Sequence, residues 1–213
     1  MTPPRPKQRQ SDSVRQGAAP QQARSRDRVE KILRATDALI REHGLLALKM
    51  SGVARRAGVP IGSVYQYFPT RSLLIGRLYA DMLADYQELF RRKIEGIETR
   101  QQFAEAFPVA VFHMYETARL NPVMREIYGG MQADRTLQHV HKRDDEGYIR
   151  FLYALLRRCG TPVPASRLRT RLRIVNQMWD GTIRLASSLN TKVGNALIAE
   201  SIDIGLRALG ILD

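Results

Sequence analysis

Residues Ile61 to Tyr67 read IGSVYQY. At 100° per residue, Val64 falls with Pro60 and Phe68 on one arc of a helix, and Gly62, Ser63, Tyr65 and Gln66 fall on the opposite arc. A helix face turned to water ordinarily carries Lys and Glu. This one carries no charge, which suits contact with something other than solvent. Serine hydrogen-bonds base edges or phosphate, glutamine pairs with adenine through one donor and one acceptor, and tyrosine reaches phosphate through its hydroxyl. Glycine allows close approach. Ile61 and Tyr67 stand at the two ends of this reading segment. Upstream, Lys49 and Ser51 open another helix, where unpaired backbone amides attract phosphate. Arg55 and Arg56 either add to that charge or are ordinary solvated residues, and solvation is the better account of Arg56.

Short helices must hold these side chains. Met50, Val53, Ala54 and Ala57 recur at i, i+3, i+4 and i+7, an apolar stripe, and Gly58 stops it as a C-cap able to turn left-handed. Pro60 then fixes φ for the first turn of the next helix. The product is helix, tight turn, helix. A preceding helix is predicted to start at Ser25 as cap, with Asp27 in its first turn. It carries Val29, Ile32, Leu33, Thr36, Leu39 and Ile40 inward and ends at Gly44. Thr70 is predicted to cap a fourth, longer helix through Leu74, Leu78, Met82 and Leu89 to about Gly96. A helix that starts at a DNA surface and runs into the next domain can carry a displacement between them.

The run AGVPIGSVYQYFPTRSLL, with the helix before it, resembles the DNA-binding domain of the tetracycline-repressor (TetR) family of bacterial one-component regulators. The resemblance rests on Ala57-Gly58-Val59, Gly62-Ser63-Val64-Tyr65, Tyr67-Phe68 and Leu73-Leu74 in fixed register; it covers about residues 25 to 75 and is weak beyond. It implies that Arg71 is a basic phosphate contact. Position 60 departs from the pattern: the family commonly has Ser or Thr there, capping the recognition helix, which the side chain of Pro60 cannot do. The resemblance further implies a ligand pocket in the C-terminal half and a dimer formed by the last two helices.

The chain has 213 residues, enough for a head of about fifty and a second helical domain, and a net charge of +13, which favours a polyanionic partner. Through Arg28 the N-terminus holds seven basic residues against Asp12 and Asp27. Residues 1–24, rich in Pro, Gln, Ser and Arg, are predicted to be a disordered basic arm, either lying along DNA or a tail of no consequence. One cysteine, Cys159, excludes an intramolecular disulfide and agrees with a cytoplasmic location. No apolar run is long enough for a membrane span. His139 and His141, two apart, are expected to face solvent instead of a metal, and Asp144-Asp145-Glu146 to form an exposed charged face. No catalytic motif appears in a supporting context, so neither an enzyme nor a cofactor is expected.

Residues 100 to 213 read as helices without strand patterning: about 101–120 with a kink expected at Pro108, a short one opened by Asn121-Pro122 and closed by Gly129-Gly130, then 136–158, 165–188 and 191–212. Polar and aromatic residues within these apolar helices are the candidates for a ligand site: Phe112, His113, Glu116, Tyr128, Tyr148, Asn176, Trp179 and Asp180. The last helix has more apolar residues than one buried face requires, and Gly194, Ala199, Gly205 and Ala208 would let a partner helix approach; packing on its own domain is the alternative. The fold class expected is all-α: a disordered arm 1–24, a helix-turn-helix DNA-binding domain 25–71 and a helical regulatory and dimerisation domain 72–213. The expected function is a ligand-responsive repressor that binds a pseudo-palindromic double-stranded operator as a homodimer and is released by a small-molecule effector. An activator of the same family and a nonspecific DNA-architectural protein are the alternatives.

Overall fold

The computed structural model describes the backbone of residues 12–213, and side chains from residue 22 onward apart from Gln132 and Asp144. Nine α-helices and one 3-10 turn make up the described residues, with no strand. They run α1 Asp12–His43, α2 Met50–Ala57, α3 Ile61–Tyr67, α4 Arg71–Ile94, α5 Arg100–Leu120, α6 Pro122–Gly130, the 3-10 turn Met131–Ala133, α7 Arg135–Arg158, α8 Ala165–Ser187 and α9 Thr191–Ala208. The chain is all-α.

The turn signals act as their chemistry requires. Gly58 has φ +66°, the left-handed region, and ends α2 in a Schellman arrangement: the Val59 amide donates to Ala54 O at 3.1 Å and the Gly58 amide to Arg55 O at 3.3 Å. Pro60 occupies the cap position of α3 and makes no side-chain cap bond. Thr70 caps α4 by accepting from the Leu73 amide at 3.2 Å. Asn121, Asp134 and Asn190 do the same for α6, α7 and α9. Pro108 lies inside a single continuous α5.

The first helix begins earlier than the sequence predicts. It reaches back to Asp12, so Ser25 is an interior residue and its hydroxyl donates to Tyr67 Oη at 3.1 Å. The predicted arm lies partly outside the described residues, at 1–11, and from Asp12 the backbone is helical. The physical reason is that poor burial does not oppose helix: Gln, Ala and Arg are good helix formers, and extending an existing helix avoids the cost of nucleation.

Two hydrophobic clusters fill the molecule. One gathers α1 to α3 with Leu74, Ile75, Leu78, Tyr79 and Leu83 of α4, and continues into α6 and the start of α7. The other joins the end of α4 to α5, α7, α8 and α9. α4 contributes to both clusters.

Close helix approach in the second cluster depends on glycine. A Cβ on Gly205 of α9 would collide with the Trp179 ring of α8, and one on Gly194 with the Tyr115 hydroxyl of α5. These two glycines therefore press α9 onto its own domain, correcting the expectation that they admit a partner helix. Gly205→Ala is expected to lower unfolding free energy by about 1–3 kcal/mol through overpacking, measured by urea denaturation.

Candidate functional site

The outer arc of α3 is uncovered. Val64 is completely buried beneath it, while Ile61, Gly62, Tyr65 and Gln66 are exposed and Ser63 is half-buried. A Cβ built on Gly62 would meet nothing within 4 Å, so none of the described residues lies over the helix there. Tyr67 differs from the others: it is half-buried against the head and its hydroxyl accepts from Ser25, so it braces α3 on α1. Lys49 and Ser51 are exposed and share the lining of one groove with Arg55 and His43. Lys49 stands at the cap position of α2 and makes no side-chain bond to its first amides. Arg56 is held by Glu42, its Nη2 at 2.6 Å from a carboxylate oxygen.

Arg71 is used within the protein. Its Nε donates to Leu48 O at 3.1 Å and its Nη2 to Leu45 O, so the guanidinium fixes the loop between α1 and α2. From the first position of α4 Arg71 reaches both carbonyls, and Leu45 O also accepts the Leu48 amide at 3.2 Å. Arg71→Ala should therefore cost about 1–3 kcal/mol of stability by removing both charge-assisted bonds to the loop, measured by urea denaturation. A residue acting only on phosphate would leave stability unchanged.

The same loop receives a second tie. Its Leu45 amide donates to the Glu126 carboxylate of α6 at 3.0 Å. The start of α7 meets the start of α4 as well. Burial pushes the Asp134 carboxyl up, but the Ser72 side chain, the Leu137 and Thr136 amides and the Arg71 charge outweigh it and hold the group below its ordinary value.

A cavity of about 80 Å³ lies at the seam between the two hydrophobic clusters. Leu83 of α4 and Met124 of α6 come to it from the head's cluster, and Val111 of α5 and Trp179 of α8 from the other. Of the residues singled out in the sequence, Tyr128, Tyr148, Asn176, Trp179 and Asp180 line it. Phe112, His113 and Glu116 do not. Phe112 packs at the edge of the core, His113 is exposed, and Glu116 pairs with Arg119 at 2.9 Å. The cause is angular: these three lie on the sides of α5 turned away from the face that carries Val111 and Met114 to the cavity.

His141 and Asp145 were missed. Neither belongs to a solvated face: both line the cavity from α7, and only His139 is exposed as expected. Their i, i+4 spacing was the available signal. His141 Nδ1 is 2.8 Å from Tyr79 Oη, and its Nε2 is 3.4 Å from Asp180 and 3.8 Å from Asp145. Asp180 also pairs with Arg184, and Asn176 donates to Asp145 at 3.0 Å. Burial, reinforced by the Asp180 charge, drives the Tyr128 hydroxyl far above its ordinary value, and burial pushes that of Tyr86 up to about 12. Trp179 presents its ring only, because its indole N–H donates to Ser201 O at 2.9 Å. Outside the cavity, a groove of about 400 Å³ between α4 and α7 shares Leu83 and Gln87 with it. Among the described residues no cluster of His, Cys, Asp and Glu is arranged to hold a metal, and no helix is long and apolar enough to cross a membrane.

Comparison with known proteins finds two family models, one on each half of the chain. The family model described as "Bacterial regulatory proteins, tetR family" matches residues 32–78, and "Tetracyclin repressor-like, C-terminal domain" matches residues 101–205. Over 196 residues the chain is 23% identical to the HTH-type transcriptional repressor KstR of Mycolicibacterium smegmatis, covering 86% of this chain and 87% of the relative. A TetR-family transcriptional regulator from Streptomyces coelicolor superposes with a TM-score of 0.67 at 25% identity, covering 87% of this chain and 99% of that one. The transcriptional regulator FadR of Bacillus subtilis, solved with stearoyl-CoA, gives 0.60 at 19% identity over 86% of this chain and 99% of its own; that likeness is one of fold.

Proposed function

Because this chain belongs to the TetR family of bacterial transcriptional regulators, with a helix-turn-helix DNA-binding head, we propose that it is a homodimeric repressor acting in the cytoplasm and released from its operator by a small molecule. The observation that carries the proposal is the uncovered, uncharged arc of α3. Gln66, Ser63 and Tyr65, with Gly62 and Ile61 beside them, read base edges in the major groove. Lys49, Ser51 and the first amides of α2 grip phosphate. Tyr67 and Arg71 hold the reading helix and its loop in place.

Two copies are joined through α8 and α9. Most of the apolar surface of α9 is absorbed by its own core, yet a stripe is left over. Ile174 and Leu185 are 65% and 53% exposed and lie three turns apart on one side of α8; Val193 and Ile204, also exposed, repeat that spacing on α9. Exposed Ala196 and Ala199 let a second copy come near.

The cavity is the effector site, and its position supports a route to the head. Filling it pushes on α4 through Leu83 and Tyr86, and on α6 through Met124 and Tyr128. Both helices hold the α1–α2 loop, by Arg71 and by Glu126 respectively. At about 80 Å³ the cavity is well below the ~300–1,000 Å³ of pockets that enclose drug-sized ligands, so a larger occupant must part these helices. The effector then releases DNA by its differential affinity for the two conformers. Fluorescence anisotropy on DNA from upstream of the gene tests the reading: binding should survive an excess of unrelated DNA at about 0.2 M salt, whereas binding by charge alone would not.

A further inference from the structure

We propose that the effector is a compact amine cation, an aliphatic or aromatic body carrying one protonated nitrogen, with Asp145 as its counter-ion. This rests on the reading of the cavity as the effector site and specifies the chemistry that site accepts.

The chain carries +13 overall, yet among the described residues no Lys or Arg lines the cavity while two carboxylates do. The two are not equivalent. Asp180, its side chain 10% exposed, is compensated by Arg184, with His141 Nε2 3.4 Å away. Asp145, 25% exposed, has the Asn176 amide on one oxygen at 3.0 Å and His141 Nε2 at 3.8 Å from the other. Among the described residues no Lys or Arg comes within ion-pair distance of it. A neutral amide satisfies a lone pair without balancing a charge, and a buried charge without a counter-ion is costly. Burial, with the Asp180 charge behind it, accordingly pushes the Asp145 carboxyl above its ordinary value, against the opposing pull of His141, Asn176 and the Arg184 charge that Asp180 already engages.

The walls suit the same ligand. Tyr86, Tyr128, Tyr148 and Trp179 surround the space, and ring faces attract a cation. An anion would meet two like charges. An alcohol would hydrogen-bond and leave the charge of Asp145 unbalanced. Arg143 lines the outer groove only and is exposed, where solvent and salt screen it.

Calorimetric titration of the full chain with matched triples tests the assignment: 2-phenylethylamine, 2-phenylethanol and phenylacetate, then hexylamine, hexanol and hexanoate. At neutral pH one amine at least should bind about tenfold or more tightly than its alcohol, with the carboxylate weakest, a step of the size expected for one charge-assisted hydrogen bond. Asp145→Asn, nearly isosteric, should shrink the amine preference to less than twofold. Failure of both amines to bind, equal binding across a triple, preference for alcohol or carboxylate, or an amine preference untouched by Asp145→Asn would each overturn the proposal. If the variant does not fold, the triples on the unchanged protein decide alone. Operator release is measured separately: an amine that binds and leaves the DNA complex intact sinks the effector reading but not this assignment, and release by a carboxylate but by neither amine does the reverse.

Discussion

Leu185→Glu combined with Ile204→Glu is expected to give a folded monomer whose operator affinity falls about 10²–10⁴-fold, the range lost when two linked binding events become one. Both side chains are about half exposed in the single chain, so charge at these positions costs the protomer little. In a dimer they would meet their symmetry mates, and each new carboxylate would be buried without a partner. Light scattering reads the mass and anisotropy reads the affinity. A variant that remains dimeric and binds normally would place the partner surface elsewhere.

Gln66→Ala is the second large effect. A bidentate contact to adenine contributes about 1–3 kcal/mol of discrimination, so binding to the preferred operator should weaken by that amount while operators altered at the contacted base lose little further. Stability should not change, because Gln66 is exposed. The contrast with Arg71→Ala separates reading from support: one variant loses preference at constant stability, the other loses stability of the head. An affinity loss equal for every sequence in Gln66→Ala would mean that this residue only touches the backbone of the DNA.

The head was largely legible because its information is local. Gly58 and Thr70 announce helix ends by conformational and hydrogen-bonding demands that no distant residue alters, and the α3 pattern sorts Val64 from Gln66 by angle alone. What escaped was every pairing across the fold. Nothing within a few residues of Arg71 says that the carbonyls of Leu45 and Leu48 will be within reach, and the Glu126 contact with the Leu45 amide joins positions 81 residues apart. The long α4 was the expected transmitter; α6, with Met124 and Tyr128 on the cavity and Glu126 on the loop, is an equal candidate that its nine residues did not suggest. His141 and Asp145 looked like part of a charged face because they stand in the run His141 to Glu146, and the packing of α8 beside it shows that these two turn inward. Gly194 and Gly205 mark close approach in either an intramolecular or an intermolecular helix pair, and sequence cannot distinguish the two.

Selection of bound fragments from random duplex DNA by the purified protein, run in parallel with Gln66→Ala, bears most directly on the role of α3. Two inverted half-sites with centres about 10 base pairs apart, or a multiple of that, should be enriched, and one position in each half-site should lose its preference in the variant. No enrichment above random, or an identical motif from both proteins, would contradict it.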